Sequence, residues 1–90
     1  NGQRFRDQVV GPALRDAIAN HSKLIVDMDG AFSYSSSFLE EAFGGLARLQ
    51  EFRQQDIRDC LEIRSVDPIY AGFYKDARKY LDEALRARAQ

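Results

Sequence analysis

Residues 24–46 read LIVDMDGAFSYSSSFLEEAFGGL, and this stretch decides how the chain folds. It opens with the run LIV at residues 24–26, which is too short for a helix and sufficiently β-branched for a strand buried on both faces. A loop over residues 28–35 follows, and apolar side chains then recur at helical spacing over residues 38–49. The stretch therefore predicts a strand in the middle of a parallel sheet, a loop and a helix.

The serine triplet at residues 35–37 lies where this loop ends and the second helix starts. Ser37 and Glu40 have the spacing of a capping box, in which the hydroxyl accepts from a free backbone N–H and the glutamate reaches back. We therefore expect the helix to begin at Ser36 or Ser37. The positive end of the helix dipole favours an anion at this point, so a phosphoserine would turn a neutral cap into a charged group.

The rest of the chain supplies a first helix, a second strand and a last helix. Helical spacing predicts the first helix over residues 3–20, with either a kink or a new helix at Pro12 and a stop at residues 20–22. Residues 60–64 alternate apolar and polar side chains, which predicts a strand nearer an edge of the sheet. Asp67-Pro68 marks the start of the last helix. Its predicted buried stripe comprises Ile69, Phe73, Ala77, Tyr80, Leu81, Ala84 and Leu85.

The predicted order of elements is helix, strand, helix, strand, helix, with residues 50–59 as a short helix or an irregular connection. Two strands joined through a helix are parallel and cross over right-handedly, so the expected fold class is α/β, a small sheet with a parallel β-α-β core and helices packed on it. Ninety residues, 44% of them hydrophobic, predict a single domain over residues 1–90. Because two parallel strands alone make a poor sheet, we expect that further strands precede Asn1 or that another chain completes the edge.

Composition argues against several classes of function. A net charge of −1 gives no field that would attract a nucleic acid. The longest apolar run is far shorter than the roughly 20 residues that cross a bilayer, so we expect a cytoplasmic protein without a membrane segment. Cys60 and His21 are the only cysteine and histidine. We therefore expect no internal disulfide, no metal site and no cofactor.

Two aspartates favour an alternative, catalytic function. The apolar strand followed by Asp27-Met28-Asp29-Gly30 resembles the opening motif of the haloacid-dehalogenase-type phosphatases. A strand end can present two carboxylates around a magnesium ion and a phosphoryl group, which would make Asp27 and Asp29 the catalytic pair of a small phosphoryl-handling enzyme. The resemblance stops there, because Ala31 follows the motif in place of a threonine and no later strand ends in an acidic pair. The other interpretation is that both carboxylates end the strand and shape a turn.

A second resemblance covers more of the chain. The motif Gly-x-x-Phe-Arg at residues 2–6, the strand LIVD at residues 24–27 and the segment SSSFLEEAFG at residues 35–44 resemble the STAS-like family of bacterial regulatory domains. The chain is more distantly similar to the STAS domains of anti-sigma factor antagonists, in which a serine at a helix start is phosphorylated by a partner kinase. The resemblance covers residues 2–50 well and the remainder by the order of its elements.

This resemblance implies a non-catalytic signalling module that binds a protein partner within a bacterial partner-switching system. Ser36 falls at the place of the phosphorylated serine, with Ser37 as the second candidate, although the antagonists would carry an aspartate at Ser35 and a glycine at Phe38. Capping of the helix is the other role open to these serines. The implied partner is a histidine-kinase-like ATPase or another anti-sigma-type protein, and a plain dimerisation scaffold is the alternative. The partner would dock on a loop containing Asp29, Ser33, Tyr34 and Ser35.

Overall fold

Two short strands and three long helical runs make up the fold in the computed structural model, which describes residues 1–30 and 33–89. The strands β1 (Leu24–Asp27) and β2 (Leu61–Arg64) pair in parallel, with Leu24 opposite Leu61. The α/β class with a parallel β-α-β core is therefore confirmed. The helical elements, in chain order, are α1 (Gly2–Phe5), the π-helical turn π1 (Arg6–Val10), α2 (Gly11–Ala19), α3 (Ser36–Leu39), the π-helical turn π2 (Glu40–Gly44), α4 (Gly45–Arg48), α5 (Gln54–Cys60), a 3-10 turn (Pro68–Tyr70) and α6 (Ala71–Arg88).

The first helical run, made of α1, π1 and α2, passes through Pro12 as one continuous run. The backbone N–H of Gly11 donates to the carbonyl of Arg6, five residues back, so the turn before the proline holds one residue more than an α-helical turn. The wider turn accommodates the proline ring, which would otherwise press on the carbonyl four residues before it. The element α2 begins at Gly11, next to Pro12 as one of the two predicted alternatives has it, but the backbone stays helical across the junction. The predicted stop is confirmed, because α2 ends at Ala19 and His21 adopts the left-handed region with φ 53°.

The strand β1 is packed on one face only, so the prediction of a strand buried on both faces was wrong. Leu24 and Val26 are half-buried, whereas Ile25 between them is 43% exposed. Over the part of the chain that the structure describes, the sheet has two strands, so each strand is an edge and neither is central. β2 has the predicted alternation of buried and exposed side chains, but it begins one residue later than predicted because Cys60 is the last residue of α5.

The last helix begins as predicted, but its first apolar side chain, that of Ile69, is not buried as predicted. The Oδ1 atom of Asp67 accepts a hydrogen bond from the N–H of Ile69 at 3.0 Å and caps the 3-10 turn. Ile69 was predicted to lie in the buried stripe and is instead 79% exposed. A 3-10 turn has three residues per turn, which rotates this side chain out of the register of α6.

The core lies between the sheet and the helical runs. α6 packs on π2 and α4, and Arg88 near its end donates from Nη1 to the carbonyl oxygen of Ala47 at 2.8 Å, close to the end of α4. None of the helices in the described ranges has the length and apolar character needed to cross a bilayer. The largest fully buried side chains are those of Leu14, Met28, Leu39, Phe43, Leu46, Ile57 and Leu85.

Candidate functional site

Residues 33–37, which we call the serine loop, lead into the second helical run of α3, π2 and α4. Ser35 has an extended backbone, and its Oγ accepts a hydrogen bond from the N–H of Phe38 at 3.1 Å. Ser35 is therefore the N-cap residue, and Ser36 is the first residue of the helix. The predicted start at Ser36 is confirmed.

The capping box predicted between Ser37 and Glu40 was wrong. The cap lies two residues earlier, and the Ser37 hydroxyl instead lies 3.3 Å from that of Ser35. Glu40 forms an ion pair with Arg48 across π2, with Oε1 and Nη2 at 2.7 Å. The hydrogen bonds from this guanidinium lower the pKa of Glu40 below its usual value. Glu40 therefore stabilises the π turn through Arg48 and makes no capping bond to the start of the helix at Ser35.

Ser36 connects the serine loop to α6. Its side chain is exposed, and its hydroxyl forms a hydrogen bond with the phenolic hydroxyl of Tyr80, 44 residues further along the chain. Tyr80 is half-buried against the core. A modification of Ser36 would therefore act on a contact between two helical runs as well as on the surface.

Aromatic contacts attach the serine loop to α6 and to the first helical run. The ring of Tyr34 lies 5.6 Å from that of Phe38 and meets Phe73 of α6 edge-on at 5.3 Å. Phe38 in turn lies 5.6 Å from Phe5, which belongs to the motif at residues 2–6. Burial raises the pKa of Tyr34 above its usual value, and the nearby charge of Asp27 adds to this. Within the predicted docking loop, Tyr34 thus serves as an anchor, while the neighbouring serines are exposed.

Asp29 joins the loops that follow the two strands. Its Oδ1 accepts from the hydroxyl of Ser65 at 2.7 Å, and its Oδ2 accepts from the N–H groups of Val66 at 2.9 Å and Asp67 at 3.1 Å. These bonds, that from Ser65 first, hold the pKa of Asp29 below its usual value. Reasoning from the sequence missed Ser65, because no local pattern links two residues 36 positions apart.

Asp27 shapes the turn after β1. Its Oδ1 accepts from the N–H of Asp29 at 2.9 Å, and Gly30 completes the turn with φ 89°. The carboxylate of Asp27 therefore makes a contact of the kind that the turn interpretation predicts, whereas the carboxylate of Asp29 holds the loop at residues 65–67. Over residues 1–30 and 33–89 the structure brings together no cluster of three or more histidine, cysteine, aspartate or glutamate side chains suited to a metal ion. Ala31, on which the comparison with the phosphatases depended, lies outside the described residues.

Two apolar side chains project from the loop that Asp29 holds. Val66 is 80% exposed and Ile69 is 79% exposed, although both are large hydrophobic residues. We call them the apolar pair. They flank Asp67, the N-cap residue of the 3-10 turn, and the ring centroid of Tyr70, immediately after them, lies 6.4 Å from that of Phe73. Because Phe73 also contacts Tyr34 of the serine loop, the apolar pair lies toward the same end of the molecule as that loop. The helical spacing of Ile69 predicts a buried residue, so the sequence pattern does not reveal this surface.

A cleft of about 490 Å³ lies at the opposite end of the sheet, before the first residues of both strands. Its lining carries mixed charge, and Arg53 is already paired with Asp56 at 3.1 Å. The cleft is also lined by His21, Lys23, Asp59 and Cys60.

Comparison with known proteins assigns the chain to a family. Residues 1–71 match the family model described as a STAS-like domain of unknown function (DUF4325). No curated protein and no solved structure matches the chain. The matched region includes both strands, the serine loop and the apolar pair. Because the match spans most of its length, the chain belongs to the family of STAS-like domains.

Proposed function

We propose that this domain is a non-catalytic protein-interaction module of a bacterial signalling system. Its docking surface comprises the exposed part of the serine loop and the apolar pair, and phosphorylation of Ser36 controls it. The partner, inferred from the resemblance to anti-sigma factor antagonists, is a histidine-kinase-like ATPase of the anti-sigma type. The proposal rests on two features of the segments that follow the strands: an exposed apolar pair after β2 and an exposed serine at a helix start after β1.

The apolar pair favours a protein partner. Val66 and Ile69 are 80% and 79% exposed, and burying two such side chains contributes roughly 3–5 kcal/mol. Three hydrogen bonds to the carboxylate of Asp29 hold the loop that carries them. A surface fixed before binding loses less conformational entropy when a partner docks.

Ser36 suits a switch because the fold tolerates a phosphate there. Phosphorylation would disrupt the hydrogen bond to Tyr80, and such a bond contributes about 0.5–1.5 kcal/mol. An anion at a helix N-terminus recovers about 0.3–1 kcal/mol. The two effects nearly cancel, so the main result of phosphorylation is an added charge of about −1.5 to −2 on the surface. That charge would repel an acidic partner surface docked at the serine loop, and against an apolar partner surface it would oppose docking through the cost of removing water from the phosphate.

Capture from an extract of the native cells tests the docking surface. Immobilised wild-type domain should retain an ATP-binding protein, and the double variant Val66→Ser and Ile69→Ser should not retain it. Val9→Ser is the matched control, because Val9 is 53% exposed and lies in π1. Equal capture by the wild type and the double variant would refute the docking surface.

Mass spectrometry tests the switch. Incubation of the domain with the captured protein and ATP should raise the intact mass by one phosphate. The change Ser36→Ala should abolish this increase, whereas Ser33→Ala, in the same exposed loop, should preserve it. An unchanged wild-type mass, or a phosphate mapped to another residue, would contradict control by Ser36.

A further inference from the structure

The strand β1 combines an apolar centre with opposite charges at its two ends. Ile25 is 43% exposed, and Lys23 and Asp27, two residues before and after it, are exposed as well. Among the described residues, β1 pairs with β2 alone. Its other edge therefore presents backbone donors and acceptors next to these three side chains.

Backbone hydrogen bonding identifies the groups that point to this free edge. The N–H of Met28 donates to the carbonyl of Arg64 at 2.8 Å, so Met28 faces β2. Strand backbones alternate direction with a period of two residues. Leu24 and Val26 therefore also face β2, and the N–H and C=O groups of Ile25 point the opposite way. The same alternation directs the backbone of Lys23 and Asp27 to the free edge.

We propose that this edge binds a second copy of the chain in antiparallel orientation, with Ile25 on the two-fold axis. In that register the two copies of Ile25 exchange both backbone hydrogen bonds, as opposed residues of an antiparallel ladder do. Lys23 of each copy lies opposite Asp27 of the other, and their side chains share one face of the sheet. The result is a continuous four-stranded sheet with β1 of each copy at its centre.

Charge distinguishes this arrangement from the alternatives. A parallel in-register pairing of two β1 strands would place Lys23 against Lys23 and Asp27 against Asp27, whereas the antiparallel pairing turns both contacts into ion pairs. Charged side chains usually keep exposed edges from pairing with another chain. At the two ends of β1 the charges that flank Ile25, those of Lys23 and Asp27, have opposite sign, so an antiparallel second copy satisfies both of them. The Oδ1 atom of Asp27 is engaged with the N–H of Asp29, which leaves Oδ2 for the lysine of the second copy.

Exchange of charges tests the register. The wild-type chain should associate as its concentration rises in sedimentation equilibrium. Lys23→Glu or Asp27→Lys alone should weaken association at least tenfold, because each variant places like charges in both contacts. An equimolar mixture of these two variants should recover association, since both contacts again join opposite charges. A wild type that stays monomeric at all concentrations, or a mixture no tighter than the separate variants, would overturn the proposal.

A second pair of variants leaves the turn at Asp27 untouched. Ile25→Lys places two ammonium groups at the two-fold axis and should abolish association. Val9→Lys, the same change at a more exposed apolar residue that lies in π1, outside both the edge and the docking surface, should leave association unchanged. In the wild type, the amide protons of Ile25 and Asp27 should exchange more slowly at high than at low concentration. Association that survives Ile25→Lys would mean that another surface joins the copies and would refute the edge.

Discussion

The change Gly2→Ala tests whether the first helical turn packs directly on the second helical run. A methyl group at Gly2 would lie 2.8 Å from Cβ of Glu41 and 3.1 Å from the backbone nitrogen of Ala42, and closer still to the carbonyl oxygen of Phe38. Two of these atoms belong to helical backbone, which cannot yield as a side chain does. Overpacking of this kind costs typically 1–3 kcal/mol, and the higher helix propensity of alanine returns up to about 1 kcal/mol. We therefore expect a net loss of about 1–2 kcal/mol in the free energy of unfolding.

Gly72→Ala is the matched control for this measurement. Gly72 lies in α6, and a methyl group there would meet no atom within 4 Å. The same substitution should therefore stabilise the fold by about 0.4–1 kcal/mol. Urea unfolding followed by circular dichroism would report both values, and thermal midpoints should move in opposite directions by roughly 4–8 °C per kcal/mol. A Gly2→Ala variant as stable as the wild type would refute the close approach.

Three further predictions concern single contacts. The pKa of Asp29 lies below its unfolded-state value, so the ionised carboxylate stabilises the fold at pH above about 4. This stabilisation is lost as the pH falls through the folded-state pKa. Asp29→Asn should therefore have a lower free energy of unfolding than the wild type at neutral pH, and the two free energies should converge in acid. Arg88→Gln removes the hydrogen bond to the carbonyl of Ala47 and should lower the free energy of unfolding by about 1–2 kcal/mol. The control Arg86→Gln, at an exposed arginine, should leave that free energy nearly unchanged. Equal urea midpoints for the two variants would contradict this role of Arg88. Tyr34 has a raised pKa, so an alkaline titration followed by tyrosine absorbance should contain a component that ionises at higher pH than the rest. Tyr34→Phe should remove this component. If the component persists in the variant, it belongs to another tyrosine.

Features set by neighbouring residues could be predicted from the sequence. The stop after Ala19 and the cap at Asp67 follow from local composition, since each depends on residues within a few positions of one another. The parallel pairing of β1 with β2 follows from the helical connection between the two strands. The STAS-like membership was predicted from the motifs at residues 2–6 and 24–44, and the match over residues 1–71 confirms it.

Features that depend on geometry or on distant residues could not be predicted. Three adjacent serines offer the same hydroxyl, and only the extended backbone of Ser35 selects it as the cap. Ile69 fits the spacing of α6, but a preceding 3-10 turn changes the register. The link from Asp29 to Ser65 joins two loops that meet only once the sheet has formed. The docking role of the serine loop and the modification of Ser36 stay predictions.

The π turn before Pro12 also determines what a deletion would do to the first helical run. A wider turn is equivalent to one residue inserted into an α-helix. Removing a single residue from π1 would bring back the α-helical spacing, so the ring of Pro12 would press on the carbonyl four residues before it. Every residue before the deletion would also rotate by about 100° around the helix axis. Gly2 and Phe5 would then turn away from Phe38, which they contact in the intact fold. The number of residues between positions 6 and 10 therefore sets the orientation of Gly2 and Phe5 toward the second helical run, independent of which side chains occupy those positions.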